Sequence, residues 1–167
     1  MSASSSVRQR GHIRWMIRRD MPTVLDIEKR SFTYPNSEED FLRELRNSKC
    51  IGTVIIIEEN VVGYMIYELL KGKIRLLKLA VDLEYRRKGL ATLMINKLKS
   101  KLSDHRRTSI ILDVPDYNLG AQLFFKSQNF FATRVLKNAD EHTDSDMYYM
   151  CYKLVTSVYD DSPVVEV

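Results

Sequence analysis

Arg86, Arg87, Lys88, Gly89, Leu90 and Ala91 lie between a strand-like run at residues 76–81 and a helix-like run that follows. A chain turning from strand into helix points unpaired backbone N–H groups and the positive end of the helix dipole at one spot, a cradle suited to a pyrophosphate. Gly89 lets a ligand approach the backbone closely, and Arg86, Arg87 and Lys88 add positive charge. Leu90, Leu93, Met94, Leu98 and Leu102 recur at helical spacing and would bury one face against a sheet. Taken alone, the same six residues also describe a solvated basic turn capping an ordinary helix. Their surroundings must decide.

A second candidate is Asp113, inside the apolar run Ile110-Ile111-Leu112-Asp113-Val114. Partial desolvation of its carboxylate would raise the pKa and move it towards general-base duty near neutral pH. A carboxylate at a strand end, reaching water or a neighbouring cation, has equal weight on the residues alone. Pro115 cannot donate a ladder hydrogen bond, so pairing should fail beside it and open a gap between Val81 and Val114. Backbone groups of Leu79, Ala80 and Val81 would then need partners, and a ligand with amides could supply them. A sheet edge filled by water or a loop is the plainer alternative. Asn118, at a helix start, reads as a cap. At least two of Phe124, Phe125, Phe130 and Phe131 read as core, and Asn129 stands where a left-handed residue would end a helix.

The elements that must position these groups follow from periodicity. Residues 13–18 form a first strand; Asp20 caps a helix with Pro22 in its first turn. Ser37 and Asp40 approximate a capping box for a second helix after the turn at Tyr34-Pro35-Asn36. Residues 53–58 and 61–70 read as a hairpin around Glu59-Asn60, and a turn at 71–73 leads into a strand over 74–81. A helix to about residue 102 and a strand over 109–114 complete a right-handed β-α-β unit with parallel strands. A helix over about 119–128, a strand over 130–136, a polar loop through 146 and a strand over 147–154 follow. The order is β-α-α-β-β-β-α-β-α-β-β: an α/β mixed sheet whose pairing changes from antiparallel to parallel at its centre.

With 167 residues, 44% of them hydrophobic, the chain suits one compact domain. That domain is expected over residues 13–155, between disordered tails at 1–12 and 156–167, the latter acidic. No apolar run has membrane-spanning length and no secretory signal is evident, so a cytoplasmic protein without a membrane partner is expected. Cys50 and Cys151 are far apart, and His12, His105 and His142 are scattered, so neither a disulfide framework nor a metal site is expected. A net charge of +4 favours an anionic partner such as a phosphate-bearing cofactor, and falls short of a dedicated nucleic-acid binder.

Two blocks together resemble the GNAT superfamily of acyl-CoA-dependent N-acyltransferases. Residues 79–91, with Arg86-Arg87-Lys88-Gly89-Leu90-Ala91 at their core, are similar to the family's R/Q-x-x-G-x-G/A cofactor block. Leu112-Asp113-Val114-Pro115-Asp116-Tyr117-Asn118-Leu119-Gly120-Ala121, then Phe125 and Asn129-Phe130, are similar to a second block that commonly reads L-E-V-x-x-x-N-x-x-A, then Tyr, then G-F. Within the superfamily the chain most resembles the ribosomal-protein-alanine and related protein N-terminal acetyltransferases, a likeness that Phe32-Thr33-Tyr34-Pro35-Asn36-Ser37 supports.

The resemblance implies a GNAT-like fold with an antiparallel N-terminal half and a splayed parallel pair at the centre. It implies acetyl-CoA as cosubstrate: Leu79, Ala80 and Val81 on its pantetheine arm, Arg86, Arg87, Lys88, Gly89, Leu90, Ala91 and Thr92 around its pyrophosphate, and Asn118 and Phe125 beside it. Asp113 takes the place of the family's glutamate base, set back by one methylene, and Phe125 replaces a tyrosine acid with a ring that cannot donate a proton. Tyr117, Tyr148 and Tyr149 are possible substitutes. The implied acceptor is a protein or peptide N-terminus, a ribosomal protein among the candidates. A small-molecule amine acetyltransferase and a non-catalytic acyl-CoA-binding module are the alternatives, and nucleic acid is not an expected partner.

Overall fold

A computed structural model describes residues 10–155. Apart from residues 10–12, the two expected tails lie outside the described residues. Seven strands form one sheet in the spatial order β1-β2-β3-β4-β5-β7-β6. They are β1 (His12–Trp15), β2 (Cys50–Ile57), β3 (Asn60–Leu70), β4 (Lys73–Val81), β5 (Ser109–Pro115), β6 (Phe131–Leu136) and β7 (Met147–Lys153). Helices α1 (Met21–Ser31), α2 (Glu38–Arg46), α3 (Leu90–Lys99) and α4 (Leu119–Ser127) join them in the expected order. Every neighbouring pair is antiparallel except β4 and β5, which run parallel.

The helices divide between the two faces. Met21, Val24 and Ile27 of α1 and Phe41 of α2 bury against Val54, Tyr64, Ile66 and Ala80. Leu90, Met94, Ile95 and Leu98 of α3 and Phe125 of α4 bury against the other face, on Met65, Tyr67, Ile110, Leu112 and Val114. Each such aliphatic or aromatic side chain contributes roughly 1.5–3 kcal/mol when fully removed from water.

Local chemistry accounts for most boundaries, with corrections. The expected box is present before α2: the Ser37 hydroxyl accepts the Asp40 N–H at 3.2 Å, and the Asp40 carboxylate accepts the Ser37 N–H at 3.0 Å. Asp20, by contrast, does not cap α1 with its side chain. Its carboxylate turns back to Arg14, at 2.6 Å, and to the Ile17 N–H, at 2.8 Å, and the chain tightens into a 3-10 turn at Arg18–Asp20. β1 therefore stops at Trp15, short of the expected residue 18. The hairpin turn falls on Glu58 and Glu59, one residue earlier than expected, and both have positive φ, 48° and 68°. Asn129, φ 67°, ends the α4 segment in the left-handed conformation the sequence leads one to expect.

The central split has a different cause from the one expected. β4 and β5 pair only at Lys73/Ser109, Ile74/Ile110 and Arg75/Ile111. Separation thus begins upstream of Pro115, which keeps its place in the β5–β7 ladder opposite Met147. The cause lies in β4: pairing with β3 passes from Tyr67/Leu76 to Ile66/Lys78, leaving Leu77 as an extra residue. A bulge bends its strand and raises the local twist, so β4 swings away from β5 at this point. Its effect on side chains is visible: Leu76 and Leu79 join the α3/α4 core, while the adjacent Leu77 and Lys78 both face the α1/α2 layer.

Candidate functional site

The basic stretch folds into an open helix start. Arg87 and Gly89 have φ of 62° and 78°, a conformation glycine adopts freely. Gly89 is the N-cap of α3 and no side chain caps it, so the first N–H groups of the helix, those of Leu90, Ala91 and Thr92, have no helical partner. A Cβ built on Gly89 meets no atom within 4 Å, so the backbone turn, rather than a crowding neighbour, calls for glycine here. These amides border a cavity of about 540 Å³. Leu79, Ala80 and Val81 form one wall; Arg86, Arg87, Gly89, Leu90, Ala91 and Thr92 form the rim; Asn118 and Phe125 face them from α4. Eleven of the twelve expected cofactor residues therefore share one cavity.

Lys88 alone of the twelve does not line the cavity, and its ammonium lies 5.1 Å from the Tyr85 ring centroid, within cation–π range. Arg86 folds back, its Nε donating to the Val81 carbonyl at 2.9 Å and its Nη2 to the Ser31 hydroxyl at 3.2 Å. That ties the rim to the end of β4. Asn118 caps α4, accepting the Ala121 N–H at 3.1 Å, and still borders the cavity.

On the opposite face a second cavity, of about 700 Å³, is bordered by Phe32, Tyr34, Lys78, Asp113, Tyr117 and His142 among others. The two meet at the split. A narrow cleft between Leu76–Leu79 and Leu112–Pro115 touches Asn118 and Phe125 on one side and Lys78 and Asp113 on the other. Asp113 stands at this junction; of the two placements the residues leave open, partly desolvated or reaching water, it takes the second and is exposed, unlike its strand neighbours Leu112 and Val114. Strand alternation explains the difference. Leu112 and Val114 point into the α3/α4 core, so Asp113 points to the other face, where it borders the open cavity. Phe125 lies at the inner end, packed edge-on against Phe124 and Phe130 at 5.1 and 5.3 Å.

Of the substitute tyrosines, Tyr117 borders the second cavity and donates its hydroxyl to Asp140 Oδ2 at 2.9 Å. Burial, reinforced by that carboxylate, holds the Tyr117 pKa above its ordinary value. Tyr148 packs against the α3/α4 core, and Tyr149 lies beside Asp113 across the β5–β7 ladder.

Buried Asp140 organises the far wall, its Oδ1 accepting the N–H groups of His142, at 2.8 Å, and Thr143, at 3.2 Å. His142 in turn stacks on Tyr34, ring centroids 4.5 Å apart. Hydrogen bonding, first that of the His142 N–H, holds the Asp140 carboxyl below the ordinary carboxylate range. A folded-state pKa below the unfolded value of about 3.9 gives stability that is present above pH 4 and disappears as pH falls through the folded value. We expect the thermal midpoint of Asp140→Asn to lie below wild type at pH 7, and the gap to narrow towards pH 2, as followed by circular dichroism.

Sequence reasoning missed Glu28 and Lys78. Glu28, fully buried on α1, accepts a short hydrogen bond from the Tyr64 hydroxyl, pairs with Lys78 Nζ at 2.6 Å and accepts the Asn36 N–H at 2.9 Å. The available signal was a carboxylate directly after Ile27 on a core-facing helix and a lysine inside an apolar strand. Among the described residues, no group of three or more His, Cys, Asp or Glu could hold a metal ion, and no helix is long and apolar enough to cross a membrane.

A mixed α/β sheet split at its centre, with an uncapped helix N-terminus on one side of the split, is the class of fold that the sequence resemblance implies. A model of the Acetyltransferase (GNAT) family matches residues 21–130, and the chain belongs to that family. It is 22% identical over 130 residues to the [ribosomal protein bS18]-alanine N-acetyltransferase of Salmonella typhimurium, covering 75% of this chain and 87% of the relative. The crystal structure of the Escherichia coli ribosomal-protein-S18-alanine N-acetyltransferase superposes with a TM-score of 0.78 at 21% identity, over 90% of this chain and 98% of that one. Arabidopsis thaliana NAA60 in complex with acetyl-CoA superposes with a TM-score of 0.75 at 17% identity, over 87% and 100% of the two chains.

Proposed function

We propose that this protein transfers acetyl from acetyl-CoA to the N-terminal α-amine of a protein chain, of the ribosomal-protein-alanine type, by direct attack and in the cytoplasm. The observation that carries this reading is the meeting of two cavities from opposite faces at the β4–β5 split, one rimmed by free helix amides and the other open to an acceptor. The site fits the cosubstrate: α3 has no side-chain cap, and space is open above Gly89. The N–H groups of Leu90, Ala91 and Thr92 and the positive charge of Arg87 would hold the pyrophosphate. The edge of β4 at Leu79, Ala80 and Val81, unpaired towards β5, would hold the amide-bearing arm. Bound acetyl-CoA supplies the thioester carbonyl.

In this reading Asp113 takes the proton from the attacking amine, directly or through a water. A backbone N–H near Val81 stabilises the developing oxyanion. Holding both reactants at one junction removes much of the entropic barrier. Phe125 cannot reprotonate the leaving thiolate, so that proton comes from Tyr117 or from solvent. Similarity to named ribosomal-protein-alanine acetyltransferases favours a protein acceptor. A cationic small amine is the second reading, favoured by Asp113 and Glu141, both of which border the acceptor cavity.

Mass spectrometry of Ala-, Ser- and Met-starting peptides incubated with acetyl-CoA and the protein tests the proposal. Acetylation confined to the α-amine is expected. Modification of polyamines or amino-sugars alone would replace the peptide reading, and no heat of CoA binding in calorimetry would remove the cofactor reading.

A further inference from the structure

Among the described residues, Lys78 is the single lysine or arginine bordering the acceptor cavity. It follows the Leu77 bulge, at the mouth of the split, opposite Asp113. An ammonium free to extend there would meet the incoming amine, which is itself largely protonated near neutral pH because α-amino groups titrate at about 7.7–8.0. The structure holds it elsewhere. Lys78 Nζ lies 2.6 Å from Glu28 Oε1 and 5.2 Å from the ring centroids of both Phe32 and Phe41, with its side chain 15% exposed. Glu28 is fully buried and keeps its remaining acceptor capacity occupied by the Tyr64 hydroxyl and the Asn36 N–H. That last bond reaches the α1–α2 loop, whose Tyr34 stacks on His142 above the cavity. One carboxylate thus joins α1, β3, the bulged part of β4 and the loop over the acceptor.

We propose that Glu28 is a positioning residue for acceptor binding: it draws the Lys78 ammonium back against α1, out of the path of the acceptor amine, and anchors the loop that carries Tyr34. It acts through Lys78 and the loop and touches neither reactant. With the Lys78 charge paired to Glu28, Asp113, Asp140 and Glu141 set the charge that an approaching cationic amine meets. This rests on the acetyl-transfer reading above, and its test separates the two.

Glu28→Gln keeps the shape of the side chain and its acceptor oxygen for Asn36, and removes the charge that restrains Lys78. Two readouts are taken. Lys78 labelling by reductive methylation, mapped by mass spectrometry, should rise several-fold. KM for an Ala-starting peptide should rise about tenfold, the scale of one charge contact across water, with the CoA dissociation constant unchanged. Adding Lys78→Met to Glu28→Gln should return KM to near the wild-type value, since the released cation is gone. A merely structural role predicts the opposite: both kcat and KM suffer, and the second substitution brings no recovery. Unchanged Lys78 labelling, unchanged KM, or a double variant no better than the single overturns the proposal. Should Glu28→Gln alone fail to fold, the double variant, which buries no unpaired charge, still decides by its KM. If the wild-type protein acetylates no peptide, the acceptor reading fails and the proposal with it, while Lys78 labelling still decides whether Glu28 restrains Lys78.

Discussion

Asp113→Ala is expected to lower kcat for acetyl transfer by about 10²–10⁴-fold, the usual loss when a general base is removed, while leaving the CoA dissociation constant nearly unchanged. The separation of the two effects follows from position. Asp113 borders the acceptor cavity and the cleft between β4 and β5, and does not border the cavity around Gly89. Its side chain is exposed, so its removal leaves no buried hole and should cost little stability. A folded variant with lost turnover and retained CoA binding is therefore the expected result, read by steady-state kinetics beside calorimetry. Unchanged turnover would remove Asp113 from the chemistry, and joint loss of turnover and CoA binding would mark it as a structural support of the split. The non-catalytic alternative makes a separate forecast: tight CoA binding and no acetyl transfer to any amine, in wild type as in the variant.

Phe130→Ala is expected to destabilise the protein by about 3–5 kcal/mol, the range for a large aromatic removed from a core that cannot collapse around the gap. Phe130 is fully buried, 5.3 Å from the Phe125 ring and 5.6 Å from that of Tyr152, and its N–H donates to the Phe125 carbonyl at 3.0 Å. It lies directly behind α4, the helix that brings Asn118 and Phe125 to the cofactor cavity. The loss should appear as a lower midpoint in urea with the slope retained. CoA binding should weaken as a secondary effect. Phe131→Ala makes the control: Phe131 is 66% exposed, and its removal should change stability within about 0.5 kcal/mol.

Much of the site was legible before folding because its determinants are local. The strand-to-helix passage at residues 81–90, the glycine that turns it and the apolar face of α3 are properties of neighbouring residues, and the structure places eleven of the twelve expected cofactor residues around one cavity. Ser37 and Asp40 signal the start of α2 by the same short-range chemistry. Lys88 lies outside that lining because a flexible cation beside an aromatic ring has several stable places to go, and the position of Tyr85 selects one. Asp113 was left between two placements for another reason. An apolar strand implies burial on both faces only if both are covered, and the strand pattern cannot say where a helix layer ends.

Residue order by itself determined the sequence of elements, the capping of α2, the left-handed exit from α4 and the amide-rimmed turn at Gly89, because each depends on backbone preferences and contacts within a few positions. Tertiary structure alone decided where the sheet splits, which carboxylate is buried and where the Lys78 ammonium rests. The split follows from the register of β3 against β4, which leaves Leu77 over. The burial of Glu28 and its pairing with Lys78 follow from packing α1 across that bulge, a contact between residues fifty positions apart. Such terms arise only when distant segments meet: local pattern marks Glu28 and Lys78 as out of place in apolar surroundings, and does not pair them.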